Sequence, residues 1–184
     1  MARKFKLDLH THPVEALKAE MGIKGIREIN VPAAEAIVKA IKAAGLNGIA
    51  ITEKENFNHG WVAGLQILDH FQKENLVILP GLETEYNGQH FLQIYIPDYY
   101  RRRMPFFKGQ AWFNVLAHPG FYHPLDSISI EGLKLDAVES HSLLGDFEAS
   151  EVMSREMQIP PIRTSDAHTL GQIGHAYIEV EFLG

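Results

Sequence analysis

The chain has no cysteine. Disulfides, thiolate-held metals and a cysteine nucleophile are therefore excluded, and any metal must be held by imidazole and carboxylate. Positive charge is also scarce: 17 Lys and Arg stand against 23 Asp and Glu, for a formal net charge of -6. Apart from Arg101-Arg102-Arg103 there is no basic run. No nucleic-acid surface is indicated, although a small nucleotide stays open as a substrate. No apolar stretch reaches membrane-spanning length, and no membrane partner is expected. Met1-Ala2-Arg3-Lys4-Phe5 runs straight into a strand-like segment. That leaves no room for a signal peptide and makes the cytoplasm the expected location. Repeats, low-complexity segments and a linker are lacking too, so residues 1–184 read as a single domain. The 46% hydrophobic and 22% charged fractions suit a globular chain with a core.

What the chain does have is histidine, with ten residues. Leu7-Asp8-Leu9-His10-Thr11-His12 reads as a strand ending in two imidazoles. Side chains two apart on a strand point the same way, so His10 and His12 form half of a ligand fork, with Asp8 in line behind them. Pro13 to Val31 has weak periodicity and reads as a loop with at most a short helix. A helix follows from Val31, with Pro32 in its first turn, Ile37, Ala40, Ile41 and Ala44 at helical spacing, and Gly45 as its stop. Further strands are expected at Gly48–Thr52, Leu76–Glu83, Gln89–Ile96, Phe113–Gly120, Ala137–His141, Pro161–His168 and Ala176–Phe182. The third and fourth meet through a turn at Asn87-Gly88. Further helices are expected over Trp61–Glu74, Ser129–Leu135 and Phe147–Met157, and the arginine-rich stretch Asp98–Lys108 reads as a surface loop or short helix.

Strands alternating with helices suggest parallel pairing through crossovers, in a small β/α barrel or a doubly wound sheet. The barrel is preferred because polar residues cluster where the strands end, the place where such a barrel builds its site. Those residues are His10 and His12, Glu53 and Glu55, Glu83 and Glu85, His118, Glu139 and His141, and Asp166 and His168. All but the His118 set repeat the spacing of the opening pair. Imidazole and carboxylate without thiolate suit Zn, Mn or Fe.

Asp8-Leu9-His10-Thr11-His12, Gly81-Leu82-Glu83, His90-Phe91-Leu92, Ala117-His118-Pro119 and Ser165-Asp166-Ala167-His168 resemble, in that order, the motifs of the PHP (polymerase and histidinol phosphatase) family. The match runs from Asp8 to His168. The resemblance implies an α/β fold, a distorted seven-stranded TIM-like β/α barrel. It implies two or three divalent metal ions (Zn, Mn or Fe) and hydrolysis of a small phosphorylated substrate by a metal-bridging hydroxide. It assigns His10, His12 and Asp166 to a first metal, Glu83 to a bridge, His90 and His118 to a second metal, and His168 to a third. Asp8 would orient a ligand histidine from behind.

The chain departs from the family after the second strand, where Thr52-Glu53-Lys54 replaces Thr-Asp-His, and it lacks a further histidine between Pro13 and Lys18. A protonated lysine has no lone pair to give. Glu53 then stands in as a metal-ligand candidate, and Lys54 as a fixed charge toward phosphate or a solvated rim residue. His168 and Asp166 are the catalytic candidates beside Lys54. Arg163, Lys54 and His141 are the substrate-binding candidates, with His141 open between the site and a hydrogen-bonding role. His59, His123, His175 and His70 read as solvated. Two readings compete with the phosphoesterase: a metal hydrolase of an amide or phosphodiester, and a metal-binding regulatory module without catalysis. The glutamate at the bridging position favours phosphoester chemistry over the amide.

Overall fold

The computed structural model describes residues 2–24, 30–54, 67, 69–122 and 134–184. Strand β1 (Arg3–Thr11) is followed by helices α1 (Pro13–Met21) and α2 (Val31–Ala43). Strands β2 (Gly48–Ile51), β3 (Val77–Tyr86) and β4 (Gln89–Tyr95) come next, then the short helix α3 (Asp98–Arg101) and β5 (Trp112–Ala117). The chain ends with β6 (Ala137–Ser142), β7 (Gly145–Asp146), α4 (Glu148–Met157), β8 (Pro161–Arg163) and β9 (Ile178–Phe182).

Among the described residues these strands form one mixed nine-stranded sheet in the order β7-β6-β5-β4-β3-β2-β1-β9, with β8 on β6. A seven-stranded barrel of mainly parallel strands was the expectation, with the third and fourth joined by a hairpin turn. The structure pairs not only β3–β4 but also β4–β5, β1–β9 and β6–β7 antiparallel. The Asn87-Gly88 turn behaves as expected: both residues have positive φ, 50° and 73°, and Tyr86 pairs with Gln89 across them. Such a turn matches the strand twist and returns the chain antiparallel. The sheet curls, and the segment after β8 meets the end of β1, where the His12 amide donates to the Ala167 carbonyl at 2.8 Å.

The curl separates an inner core from outer clusters, one of which gathers Phe91, Leu116, Val138 and Ile159. Leu7, Leu9, Leu79, Leu92, Val115, Ala137 and Ile162 pack inside the curl. Val14, Leu17, Ile37, Ile41, Ile49, Ile51 and Ile78 pack the helices onto its outer face. Each Val, Leu or Ile among them contributes roughly 1.5–3 kcal/mol when fully buried. Helix α2 lies between Val31 and Gly45 as expected, and the structure adds a cap: the Asn30 side chain accepts from the Ala33 amide at 3.1 Å, while Gly45 leaves the helix at φ 67°. The arginine-rich stretch is more than a surface loop. Arg101 and Arg102 pair with Asp98, while Met104 and Phe107 are buried in the inner core. Half of the expected helix over Trp61–Glu74 lies outside the described residues, and of the rest, residues 67 and 69–71 are helical; most of the helix over Ser129–Leu135, and His59 and His123, lie outside the described residues. No helix among the described residues is long and apolar enough to cross a membrane.

Candidate metal centre

At one end of the curl the apolar inner core gives way to buried polar side chains: His10, His12, Glu83, His118, Glu139, Thr164 and Asp166. Strict alternation would put His10 on the same face as Asp8. The strand does otherwise. Asp8 pairs with Ile49 but Thr11 pairs with Ile51, so β1 carries one residue more than β2 over this stretch. That bulge re-aims the side chains beyond it. His10 reaches Glu83, Glu139 and Asp166, while Asp8 turns to Ser165 and the Gly174 amide. His118 and Asp166 are delivered by a second device. Both have left-handed backbone, φ 28° and 56°, which non-glycine residues adopt at a cost and which clusters at functional sites.

Glu83 sits at the centre. Its Oε1 lies 2.7 Å from His90 Nδ1, 3.1 Å from His118 Nε2 and 3.6 Å from His10 Nε2. Its Oε2 lies 3.5 Å from His12 Nε2 and is a buried oxygen with no hydrogen-bond partner among the described residues. His90 reaches the cluster because β4 is antiparallel. It stands at the start of that strand, opposite Glu85 and one strand period from Leu92, the partner of Glu83.

The donor set fits metal ions. His10 Nδ1 lies 3.0 Å from Glu139 Oε1, and a carboxylate only accepts, so Nδ1 carries a proton. His10 Nε2 then presents its lone pair to Asp166 Oδ1 at 3.2 Å and His12 Nε2 at 3.2 Å. Converging acceptors need a cation between them. Without a metal a proton serves: burial opposes charge on His10, but Glu139, Glu83 and Asp166 together raise its pKa well above the ordinary value. Burial likewise works against the Glu83 charge, yet His10, His118 and His90 hold its carboxyl far below the usual range. For Asp166 the same contest of burial against His12 and His10 ends with the carboxyl depressed. Burial lowers the pKa of His12, which keeps a lone pair free. Ligand atoms within 4.8 Å of one another define the sets His10–His118–Asp166, His10–His12–Glu83, Glu83–His90–His118 and His12–Glu15–His168.

Not every candidate comes to this cluster. Glu53 is buried, but its carboxylate accepts from the Val14 amide and so closes the first turn of α1, where the His12 side chain makes no capping bond. Arg163 is exposed on β8. His141 bonds Asp146 at 2.7 Å instead. Lys54 does reach the rim, with Nζ 3.4 Å from His168 Nε2. Two residues went unanticipated in these roles. Glu139 holds the His10 ring and accepts from the His118 amide at 2.6 Å. Glu15 lies 3.4 Å from His168 Nε2. The spacing that put Glu139 on a strand end was visible in the sequence, whereas nothing local marked Glu15.

Residues 148–183 match the family model described as PHP-associated. The match covers the C-terminal part of the chain. Two solved structures share its fold. A two-domain protein from Bacteroides vulgatus ATCC 8482, said to contain a predicted PHP-like metal-dependent phosphoesterase, is 18% identical with a TM-score of 0.60; the alignment covers 93% of this chain and 54% of that one. This chain thus spans about half the length of that relative. A protein from Bifidobacterium adolescentis ATCC 15703, described as a proposed metal-dependent phosphoesterase, is 15% identical with a TM-score of 0.57, over 90% of this chain and 88% of that one. None of the curated protein sequences matches the chain.

Proposed function

We propose that this chain is a PHP-family protein and a metal-dependent phosphoesterase acting on a small phosphate ester. The observation that carries the reading is Glu83, one buried carboxylate reached by ring nitrogens of His10, His12, His90 and His118. A carboxylate common to two ligand sets suits a two-metal site. His10, His12 and Asp166 would hold one ion, His90 and His118 the other, with Glu83 shared. Bound divalent ions supply Lewis acidity at a phosphoryl oxygen and an activated water near neutral pH.

The protein's own side chains do the rest. Buried strand ends keep the ligands oriented in advance, so little reorganises as charge develops. Lys54, partly exposed at the rim, offers its ammonium to the phosphoryl oxygens. His168 Nδ1 lies 2.9 Å from the Asp166 carbonyl, which leaves Nε2, 3.4 Å from Lys54 Nζ, to hold that ammonium at the rim. We read the curled sheet as a distorted β/α barrel closed by the segment that carries Asp166.

The test is hydrolysis of an aryl phosphate by the Mn- or Zn-loaded protein. Turnover is expected, and Asp166→Asn should lower it at least about a hundredfold. A loaded, folded protein without turnover on a panel of phosphate esters would favour the regulatory module instead.

A further inference from the structure

The His12–Glu15–His168 cluster lies beside the two-metal site and is left over by it. His168 Nδ1 faces the Asp166 carbonyl at 2.9 Å, and a carbonyl only accepts, so in the neutral ring Nε2 holds the lone pair. That nitrogen lies 3.4 Å from Glu15 Oε2, a second acceptor. Two acceptors facing each other call for a cation. The Lys54 Nζ is the cation at hand, 3.4 Å from the same Nε2 and 3.9 Å from Glu83 Oε2.

A metal ion would find too few ligands in that place. His12 Nε2 is turned to Asp166 Oδ1 and His10 Nε2, each at 3.2 Å, and belongs to the first ion's set. Glu15 and His168 remain, two where Zn sites use three or four. An ammonium has three N–H donors and suits the place better. Glu53 contributes indirectly: by accepting from the Val14 amide it fixes the turn of α1 from which Glu15 projects.

We infer that the Lys54 ammonium takes the place of a third metal ion beside His168 Nε2 and Glu83, with Glu15 on the far side of the His168 ring nitrogen, so that the centre works with two metals and one fixed organic cation. The inference rests on the two-metal reading above. Lys54, His168 and Glu15 side chains are 38%, 37% and 36% exposed, so the seat opens to solvent and a remaining N–H can meet an anionic substrate.

Elemental analysis of the purified chain after removal of loosely bound metal tests this without reference to turnover. The wild type and Lys54→Ala should each retain two metals. Lys54→His adds a third lone pair beside Glu15 and His168 and should retain three; Lys54→His with Glu15→Gln should return to two. A wild type with three metals would overturn the inference while leaving the phosphoesterase reading intact. A folded Lys54→His protein that stays at two would overturn it as well. A wild type with fewer than two would overturn both. Circular dichroism of each variant separates a lost fold from a lost site.

Discussion

Glu139 Oε1 lies 3.0 Å from His10 Nδ1, and both side chains are fully buried. The other oxygen of Glu139 accepts the His118 amide, and the Thr164 hydroxyl also donates to this carboxylate. One carboxylate thereby orients ligands assigned to both ions. Glu139→Gln preserves size but replaces an acceptor with an amide donor among donors. Metal affinity should fall about 10–100-fold, the usual range for loss of such a supporting group. Competition with a chromogenic chelator measures it; unchanged affinity would remove Glu139 from this role.

Stripping the metals should destabilise the fold, because Glu83, Asp166 and the histidine lone pairs are then left with a proton on His10 in place of two divalent ions. Restoring metal at a hundred times its dissociation constant should add about 2.7 kcal/mol and raise the melting temperature by roughly 5–10 °C. Asp166→Asn should show a much smaller rise in the same thermal scan.

Glu53 gives a pH dependence with a definite sign. Burial raises its pKa from 4.5 to about 8. Between those values the unfolded chain releases a proton that the folded chain keeps, so stability falls as pH rises through this window and levels off above it. Glu53→Gln keeps the acceptor for Val14 without the charge. It should match the wild type near pH 4 and exceed it above pH 8 by on the order of a few kcal/mol. Denaturant midpoints across pH measure this. Loss of a bound metal in the same variant would instead restore Glu53 as a ligand.

Gly48 has no room for a side chain. A Cβ there would lie 1.9 Å from the Val77 carbonyl oxygen, a backbone atom of the paired strand β3. Gly48→Ala should cost about 1–3 kcal/mol or more. An unchanged urea midpoint would show that β2 and β3 do not approach as described.

Much of this protein is legible in its sequence because the signals are local. The Asn87-Gly88 hairpin, the Pro32 start and Gly45 stop of α2, and the strand-end ligand candidates rest on residue type and short spacing, whereas His90 came from the resemblance to the PHP motifs. Alternation along single strands gives the faces of Glu83 and Glu139 directly.

The tertiary structure decided the rest. The bulge between Asp8 and Thr11 sends His10 and Asp8 to different partners, which period-two reading cannot foresee, since the extra residue is defined only against β2. The left-handed backbone at His118 and Asp166 is held by contacts from distant strands. Glu53 came to close α1 rather than join the ligand sets, because α1 presents its amides there. Sequence alone determined which side chains could bind metal and in what order they occur. Strand pairing decided which of them meet, because convergence depends on register between segments far apart in the chain, and no local pattern encodes that register.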